Sequence, residues 1–438
     1  MTKDTGIKRF VTAGGLVVLL EESHDLPLVN FECVLRTGAT LDPVGKVGLA
    51  RLTAHMVRMG TKQLRYQDVD EAIDRFGAHL SIQVAPSYVT FQGAVVLRNV
   101  DALFSLLGHL FTAPAFRVRD LQKLKRETVS EIVDMRDNDR ALAFVNFRKS
   151  LFGQHPYGRN IMGTRKSVGS ISQTDVVRHH RKYYVASNMV LGIAGPLSQG
   201  HVESLIYKCF QDLRRGSPPV VRMPEAQAPS GYRLVMVDKP ERTQSQIVMG
   251  TLGTSFQDAD HDALEVANAA FGGTFTARLM REIRSKRGWS YGASSRLGHD
   301  RGREAWWMWT FPEVQNTVAC IQLKLELYDA LMKNGITPKE FAFAKSYLIN
   351  SYAFECDSPT KRIDQRITEE VMGLPRAYYA NYVKRIRAVK REDANAAIRR
   401  RLARDHMVVT VLSTASEIDK GLRSLRTWDT IRKVPWDA

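Results

Sequence analysis

Gly48-Leu-Ala-Arg51-Leu-Thr-Ala-His55-Met-Val-Arg-Met-Gly-Thr61 is the stretch on which the reading of this chain turns. Laid over the metal-binding pattern H-x-x-E-H, it keeps only the final histidine. Two histidines four residues apart on a helix face one way and can share a metal, and a glutamate between them can activate the bound water. Here Arg51 stands at the first ligand position and Ala54 at that of the base. A guanidinium is a permanent cation that offers donors only, so it cannot ligate a metal ion and repels one. Alanine has no proton to move.

Outward from this stretch, the chain is too long for one ordinary core: 438 residues predict two to four units at roughly 150 residues each. Its apolar fraction of 44% and charged fraction of 25% are those of a soluble globular protein. No uninterrupted apolar run approaches the ~18 residues needed to span a bilayer. Met1 to Phe10 contains no apolar core of a signal peptide, so a cytoplasmic location is the expectation, or a periplasmic one if a leader has been trimmed. Cys33, Cys209, Cys320 and Cys356 are scattered without a C-x-x-C pair, which predicts free, buried thiols rather than a metal knuckle. The net charge of +17 raises the question of nucleic acid. Its richest cluster, Lys384 to Arg404, interleaves arginines with Tyr382, Ile386, Val389, Ile398 and Leu402, the pattern of amphipathic helices with a solvated basic side. No nucleic-acid motif accompanies it, and a nucleic-acid partner is not expected.

An approximate internal duplication organises the chain. Leu16 to Leu20, a polar turn and Leu28 to Leu35 read as two strands followed by a helix. Tyr232 to Val237, a polar turn and Gln246 to Leu252 repeat the scheme, with Ala263 to Phe271 as a helix at the place of the altered motif. An offset so far above solenoid periods means two copies of one domain. Arg214 to Gly231 carries four prolines and two glycines and reads as an extended linker. The expected division is therefore 1–213, 214–231 and 232–438. In the first half Val69 to Phe76, Val100 to Phe111 and Leu121 to Met135 have helical spacing. Leu80, Ile82 and Val84 alternate as a strand, Val89 to Val96 continues the sheet, and Asn188 to Ala194 is a further strand. The expected fold class is α+β: two homologous domains, each a mixed or antiparallel sheet covered by helices.

Together these features resemble the pitrilysin/insulinase-like zinc peptidases, the M16 family, from about Leu16 to Thr414, including an HPYG-like stretch at His155 to Gly158. The resemblance implies a third metal ligand on a later helix. At the matching distance stands Glu131, in Glu127-Thr-Val-Ser-Glu131-Ile-Val. A catalytic zinc takes three protein ligands plus water, so His55 and Glu131 beside Arg51 make a poor site, and Arg51 is positioned to pair with Glu131 in the metal's place. The chain is expected to hold no cofactor and to have no activity alone.

In the second half, Phe275-Thr-Ala-Arg278-Leu-Met-Arg-Glu-Ile-Arg284-Ser-Lys-Arg-Gly288-Trp-Ser-Tyr291 resembles the family segment whose arginine and tyrosine reach substrate bound at the zinc of the opposite half or partner. Arg284 and Tyr291 match those two positions. Their donors suit a peptide carbonyl and its oxyanion. The plainer reading makes Leu279, Ile283 and Trp289 core residues with solvated arginines between them. Gly272-Gly273 stands where non-catalytic family subunits carry a longer glycine-rich substrate loop; two glycines suffice for a tight turn. The resemblance thus implies an M16B-type, substrate-binding subunit of a heterodimeric zinc metallopeptidase. Its partner would carry H-x-x-E-H and the zinc, and peptides would be the substrate. The alternatives are an inactive homologue serving as a binding or scaffold subunit, and self-association of the isolated chain.

Overall fold

The computed structural model describes residues 6–217, 220–221, 223–402 and 405–437. Pro218, Pro219 and Arg222 of the expected linker, and Arg404 of the basic segment, lie outside them. Among the described residues two six-stranded sheets form. The first contains β1 (Lys8–Val11), β2 (Val17–Glu22), β3 (Leu28–Leu35), β4 (His79–Val84), β5 (Val89–Val96) and β6 (Met189–Gly195). The second contains β7 (Tyr232–Asp238), β8 (Gln246–Leu252), β9 (Ala293–Leu297), β10 (Ala305–Thr310), β11 (Met407–Ser413) and β12 (Thr430–Pro435).

The spatial orders are β1-β2-β6-β3-β5-β4 and β12-β7-β11-β8-β10-β9. Five neighbouring strands therefore repeat between the sheets with the same sense. β2 and β6 are parallel, as are β7 and β11. The remaining pairs, β6-β3-β5-β4 and β11-β8-β10-β9, are antiparallel. The sixth strand breaks the repeat: β1 precedes β2 and runs antiparallel to it, whereas β12 is the last strand and runs parallel to β7. This is the duplicated α+β architecture expected from the sequence. β6 and β11, enclosed between two strands and covered on both faces, are buried at every residue, in keeping with their largely apolar sequences.

Each sheet has two apolar faces, because successive side chains point to opposite sides. In the second sheet Leu234 and Met236 join one core cluster, while Val235 and Val237 join another with Leu142, Ala143, Phe147 and Leu151. Those four residues lie on the helix Asp139–Phe152. The chain accordingly forms two compact units that are not the contiguous stretches 1–213 and 232–438. One unit comprises 1–132, 160–222 and 353–380; the other comprises 133–159, 223–352 and 381–438. In the first, the helix Pro359–Met372 covers β6, where a Cβ on Gly192 would lie 2.4 Å from Ile363 Cγ2 and 2.7 Å from Ile367 Cδ1. The missing side chain is what lets that helix close on the strand. Arg9, Arg36 and Glu370, together with Arg362 and Glu21, tie the helix to the sheet by ion pairs.

All four cysteines are free; Cys33 and Cys320 are buried, Cys209 and Cys356 only partly. No helix among the described residues is long and apolar enough to cross a membrane.

Candidate functional site

The quoted stretch forms the helix Leu49–Arg58. Gly48 before it has φ 101°, a left-handed conformation open to glycine, and a Cβ there would meet Met162 O at 2.9 Å. No side chain at that position caps the helix, and Asp42 does so from outside: its carboxylate accepts from the backbone N–H of Gly48 and of Ala50, both at 2.8 Å. A negative charge satisfying free N–H groups at a helix start is favourable on both counts. Leu49, Leu52, Ala54, Met56 and Val57 are buried. Arg51 and His55, one turn apart, share the half-exposed side.

Glu131 lies on the helix Val118–Asp134, in the same compact unit. The two helices are joined through Arg51, whose Nη2 donates to Glu131 Oε2 at 2.5 Å and whose Nη1 donates to Thr128 Oγ1 at 3.0 Å. Thr128 and Glu131 are three apart on a helix, hence neighbours on its surface, and the planar guanidinium spans both. Arg51 is well enclosed (side chain 16% exposed), while the Glu131 side chain is half open at 48%. Thr128 was not singled out in the sequence. Its position one helical turn before Glu131 is the signal that would have found it.

His55 completes the group. Burial first, then the charges of Arg51 and Arg58, push its pKa down to about 4, so its imidazole is neutral at pH 7. A neutral imidazole and a carboxylate are zinc-type donors. Arg51, bonded to Glu131 and acting on His55 through its charge, is a fixed cation that repels a metal ion. Ala54 points into the core, fully buried, and offers no base. The residues present therefore do not fit a catalytic zinc ion. Among the described residues no cluster of three or more His, Cys, Asp or Glu side chains stands ready for a metal.

The second motif lies wholly in the other unit. Arg284 falls in a π-helical turn, Arg281–Ser285, and Tyr291 in the loop before β9. Leu279 and Ile283 are fully buried and Trp289 partly, as the amphipathic reading requires. Tyr291 is 81% exposed, so its hydroxyl is offered to solvent. The Arg284 guanidinium carbon sits 4.7 Å from the ring centroid of Phe275, itself 70% exposed. That cation–π contact holds Arg284 out over an aromatic face. The neighbouring arginines are spoken for: Arg278 pairs with Glu340, and Arg281 and Arg287 with Glu282. Phe275 went unremarked in the sequence, where a large aromatic between polar residues ahead of the helix was its only mark.

Gly272 and Gly273 do not form a loop. They close a π-helical turn, Ala269–Gly273, packed on β9. Gly272 is buried, and a Cβ on it would approach Ser295 N at 2.5 Å, so it serves close packing of helix on strand; Gly273 is exposed. His155 to Gly158 is also structural: Tyr157 is buried, its hydroxyl accepting from Gly302 N at 3.0 Å. In the basic segment, Arg385 pairs with Asp262, Arg400 with Asp260, and Arg401 with Asp258 and Asp260. Much of that charge is spent within the fold.

Comparison with known proteins bears on the fold and family of the chain. The insulinase (peptidase family M16) profile matches residues 17–165, and the peptidase M16 inactive domain profile matches residues 170–348. An uncharacterized zinc protease of Mycobacterium leprae (strain TN) is 27% identical over 358 residues, 79% of this chain and 78% of that protein. The crystal structure of a peptidase M16 inactive domain from Pseudomonas fluorescens superimposes with a TM-score of 0.86 at 23% identity, covering 93% of this chain and 97% of that one. A chain of complex III2 from Candida albicans superimposes with a TM-score of 0.79 at 14% identity, covering 96% and 100%. With both profiles matched in order along most of its length, the chain belongs to the M16 (insulinase) family of peptidases.

Proposed function

We propose that this chain is the non-catalytic, substrate-binding subunit of a two-subunit zinc metallopeptidase, pairing with a family member that carries an intact H-x-x-E-H helix. The observation that carries the proposal is the contrast between its two motifs. The metal position is filled by an arginine bonded to the would-be ligand Glu131. The donor pair Arg284 and Tyr291 is kept, with the tyrosine exposed and the arginine held over an exposed ring.

In such a complex the zinc held by the partner would supply the Lewis acid and the nucleophile for peptide hydrolysis. This chain's residues bind and orient. The Tyr291 hydroxyl and the Arg284 guanidinium donate to carbonyl oxygens of an extended peptide, and the same donors stabilise charge that develops on the oxygen. The test is reconstitution. The chain is mixed with the H-x-x-E-H family member encoded by the same source, and peptide cleavage is followed. Activity present only in the mixture supports the proposal. A partner that is active alone and unaffected by this chain counts against it.

A second reading, an inactive homologue acting as a structural subunit, draws on the likeness to a chain of complex III2. Co-purification with a large non-peptidase assembly, and no stimulation of any peptidase, would favour it.

A further inference from the structure

We propose that a basic cavity in the first unit, far in sequence from the second motif, binds a compact polyphosphate. The cavity is about 540 Å³, lined by Arg65, Tyr66, Gln67, Arg117, Arg119, Asp120, Lys123 and Arg126. Five cationic side chains thus face it against one lining carboxylate. Its size suits a small molecule of several linked phosphates rather than a single one.

The walls are fixed by the backbone. Arg117 donates to the carbonyls of Thr61, Lys62 (3.2 Å) and Leu64 (3.4 Å), which pins the loop after the helix Leu49–Arg58. Ala115 N donates to Gly60 O at 2.9 Å, and Thr61 bridges to Pro114. Arg65 is thereby held opposite the start of the helix Val118–Asp134. One wall begins the helix Tyr66–Arg75 and the other begins Val118–Asp134, and the positive ends of the two helices add to the potential, offset in part by Asp68 and Asp120 in their first turns.

The charges divide into used and unused. Arg117 lies 3.8 Å from Asp120, and Lys123 lies 3.8 Å from Glu127 with its ammonium 3.9 Å from the Tyr66 ring centroid. Asp68 accepts from Arg65 N at 2.6 Å. Arg119 and Arg126 are exposed, about two turns apart on one face of one helix, and no carboxylate among the described residues pairs with them. Unspent guanidinium forks around a concavity are the recognition chemistry of phosphate oxygens. The surface is a cleft bounded by two helix starts rather than an extended stripe, which favours a compact ligand over a nucleic-acid duplex.

The test is titration calorimetry of the full chain with tripolyphosphate, orthophosphate and a duplex oligonucleotide at about 0.15 M salt. Tripolyphosphate is expected to bind once per chain and more tightly than orthophosphate. The double variant Arg119→Gln/Arg126→Gln is expected to weaken it about tenfold or more. The double variant Lys384→Gln/Arg399→Gln, which removes equal charge from the other basic segment, is expected to leave it unchanged. No saturable binding, an unaffected Arg119→Gln/Arg126→Gln variant, or equal weakening by both variants overturns the assignment. So does an oligonucleotide that binds more tightly per phosphate. If the first variant does not fold, tripolyphosphate protection of Lys123 from amine acylation in the unaltered chain decides the matter, and no protection counts against the site.

Discussion

The Arg51 guanidinium bridges Glu131 at 2.5 Å and Thr128 at 3.0 Å, so the helix that carries the altered motif and the helix Val118–Asp134 are held together by a side chain. The isolated chain is accordingly expected to retain no stoichiometric zinc, as read by elemental analysis after chelator-free purification. Replacing Arg51 by His should raise zinc affinity if His55 and Glu131 can close on one ion, and no gain would mean that Glu131 is misplaced for it. Ala54→Glu alone should destabilise by several kcal/mol, because it buries an unpaired carboxyl at a fully enclosed position. About one tightly held zinc per unaltered chain would contradict this reading of Arg51.

The fold was legible where a pattern belongs to one element. The alternation in β4 and β5, the apolar run of β6 and the duplicated strand pairs all show in sequence. The altered motif showed in sequence because helical spacing puts residues four apart on one face, whereas Glu131 was singled out only by its distance from His55 in the family resemblance. The exchange of helices between sequence halves was not. Leu142, Phe147 and Leu151 announce an apolar helix, but nothing in their spacing says which sheet they cover. The helix Pro359–Met372 was equally silent, and its seat depends on the absent side chain of Gly192. The basic cavity escaped because its walls, 65–67 and 117–126, lie far apart in the chain.

Acid should destabilise the chain more than its carboxylates alone predict. Burial first of all lowers the pKa of His55, His180 and His261 to about 4, and that of His179 and His299 to about 3. These groups stay neutral in the folded state while the unfolded chain takes up protons near 6.5. Unfolded chains then bind more protons, so stability falls as pH drops from about 6.5 towards 4. Glu32 and Glu265, raised by burial to about 7, act in the opposite sense between about 4.5 and 7. Asp364 and Glu369, also raised by burial, act in that same sense, and five histidines against four carboxyls still leave a net loss. Urea midpoints at pH 7, 6 and 5 should descend in that order; a midpoint rising towards pH 5 would refute the bookkeeping.

Lys324 is buried completely, its Nζ 3.3 Å from Met308 O and 3.5 Å from Ile247 O, and no carboxylate among the described residues pairs with it. Burial lowers its pKa to about 7. The unfolded lysine holds its proton up to about 10.5, so stability should rise between pH 7 and 10 from this group. Lys324→Met keeps the volume and removes the buried amine, and should raise the unfolding midpoint at pH 7 while flattening that alkaline rise. A variant less stable than the parent at pH 7 would mean that the two carbonyl contacts outweigh the cost of burial.

Gly192 tests the seating of the exchanged helix. A methyl there would overlap Ile363 and Ile367, so Gly192→Ala should cost about 1–3 kcal/mol by overpacking. Gly169, where a Cβ meets nothing within 4 Å, serves as the control, and Gly169→Ala should be near neutral. Equal effects in chemical denaturation would show that helix Pro359–Met372 adapts freely to β6.

The proposed substrate role rests on side chains whose removal should leave the fold alone. Tyr291 is 81% exposed and Arg284 contacts an exposed ring, so Tyr291→Phe and Arg284→Ala should each shift stability by less than about 0.5 kcal/mol. In the reconstituted complex Tyr291→Phe removes one neutral donor and should lower turnover more than it raises KM. Loss of an oxyanion donor typically costs about 10²–10³ in rate, and a donor this exposed to water should fall at or below the lower end. Arg284→Ala should cost more, since it removes a charge together with its donors. Phe275→Leu, which leaves both donors but takes away the ring beneath Arg284, should give a partial loss if that ring orients the guanidinium. Arg399→Ala should change nothing. If turnover survives both Tyr291→Phe and Arg284→Ala in an intact complex, these residues do not act on substrate, and the structural-subunit reading becomes the better account of the chain.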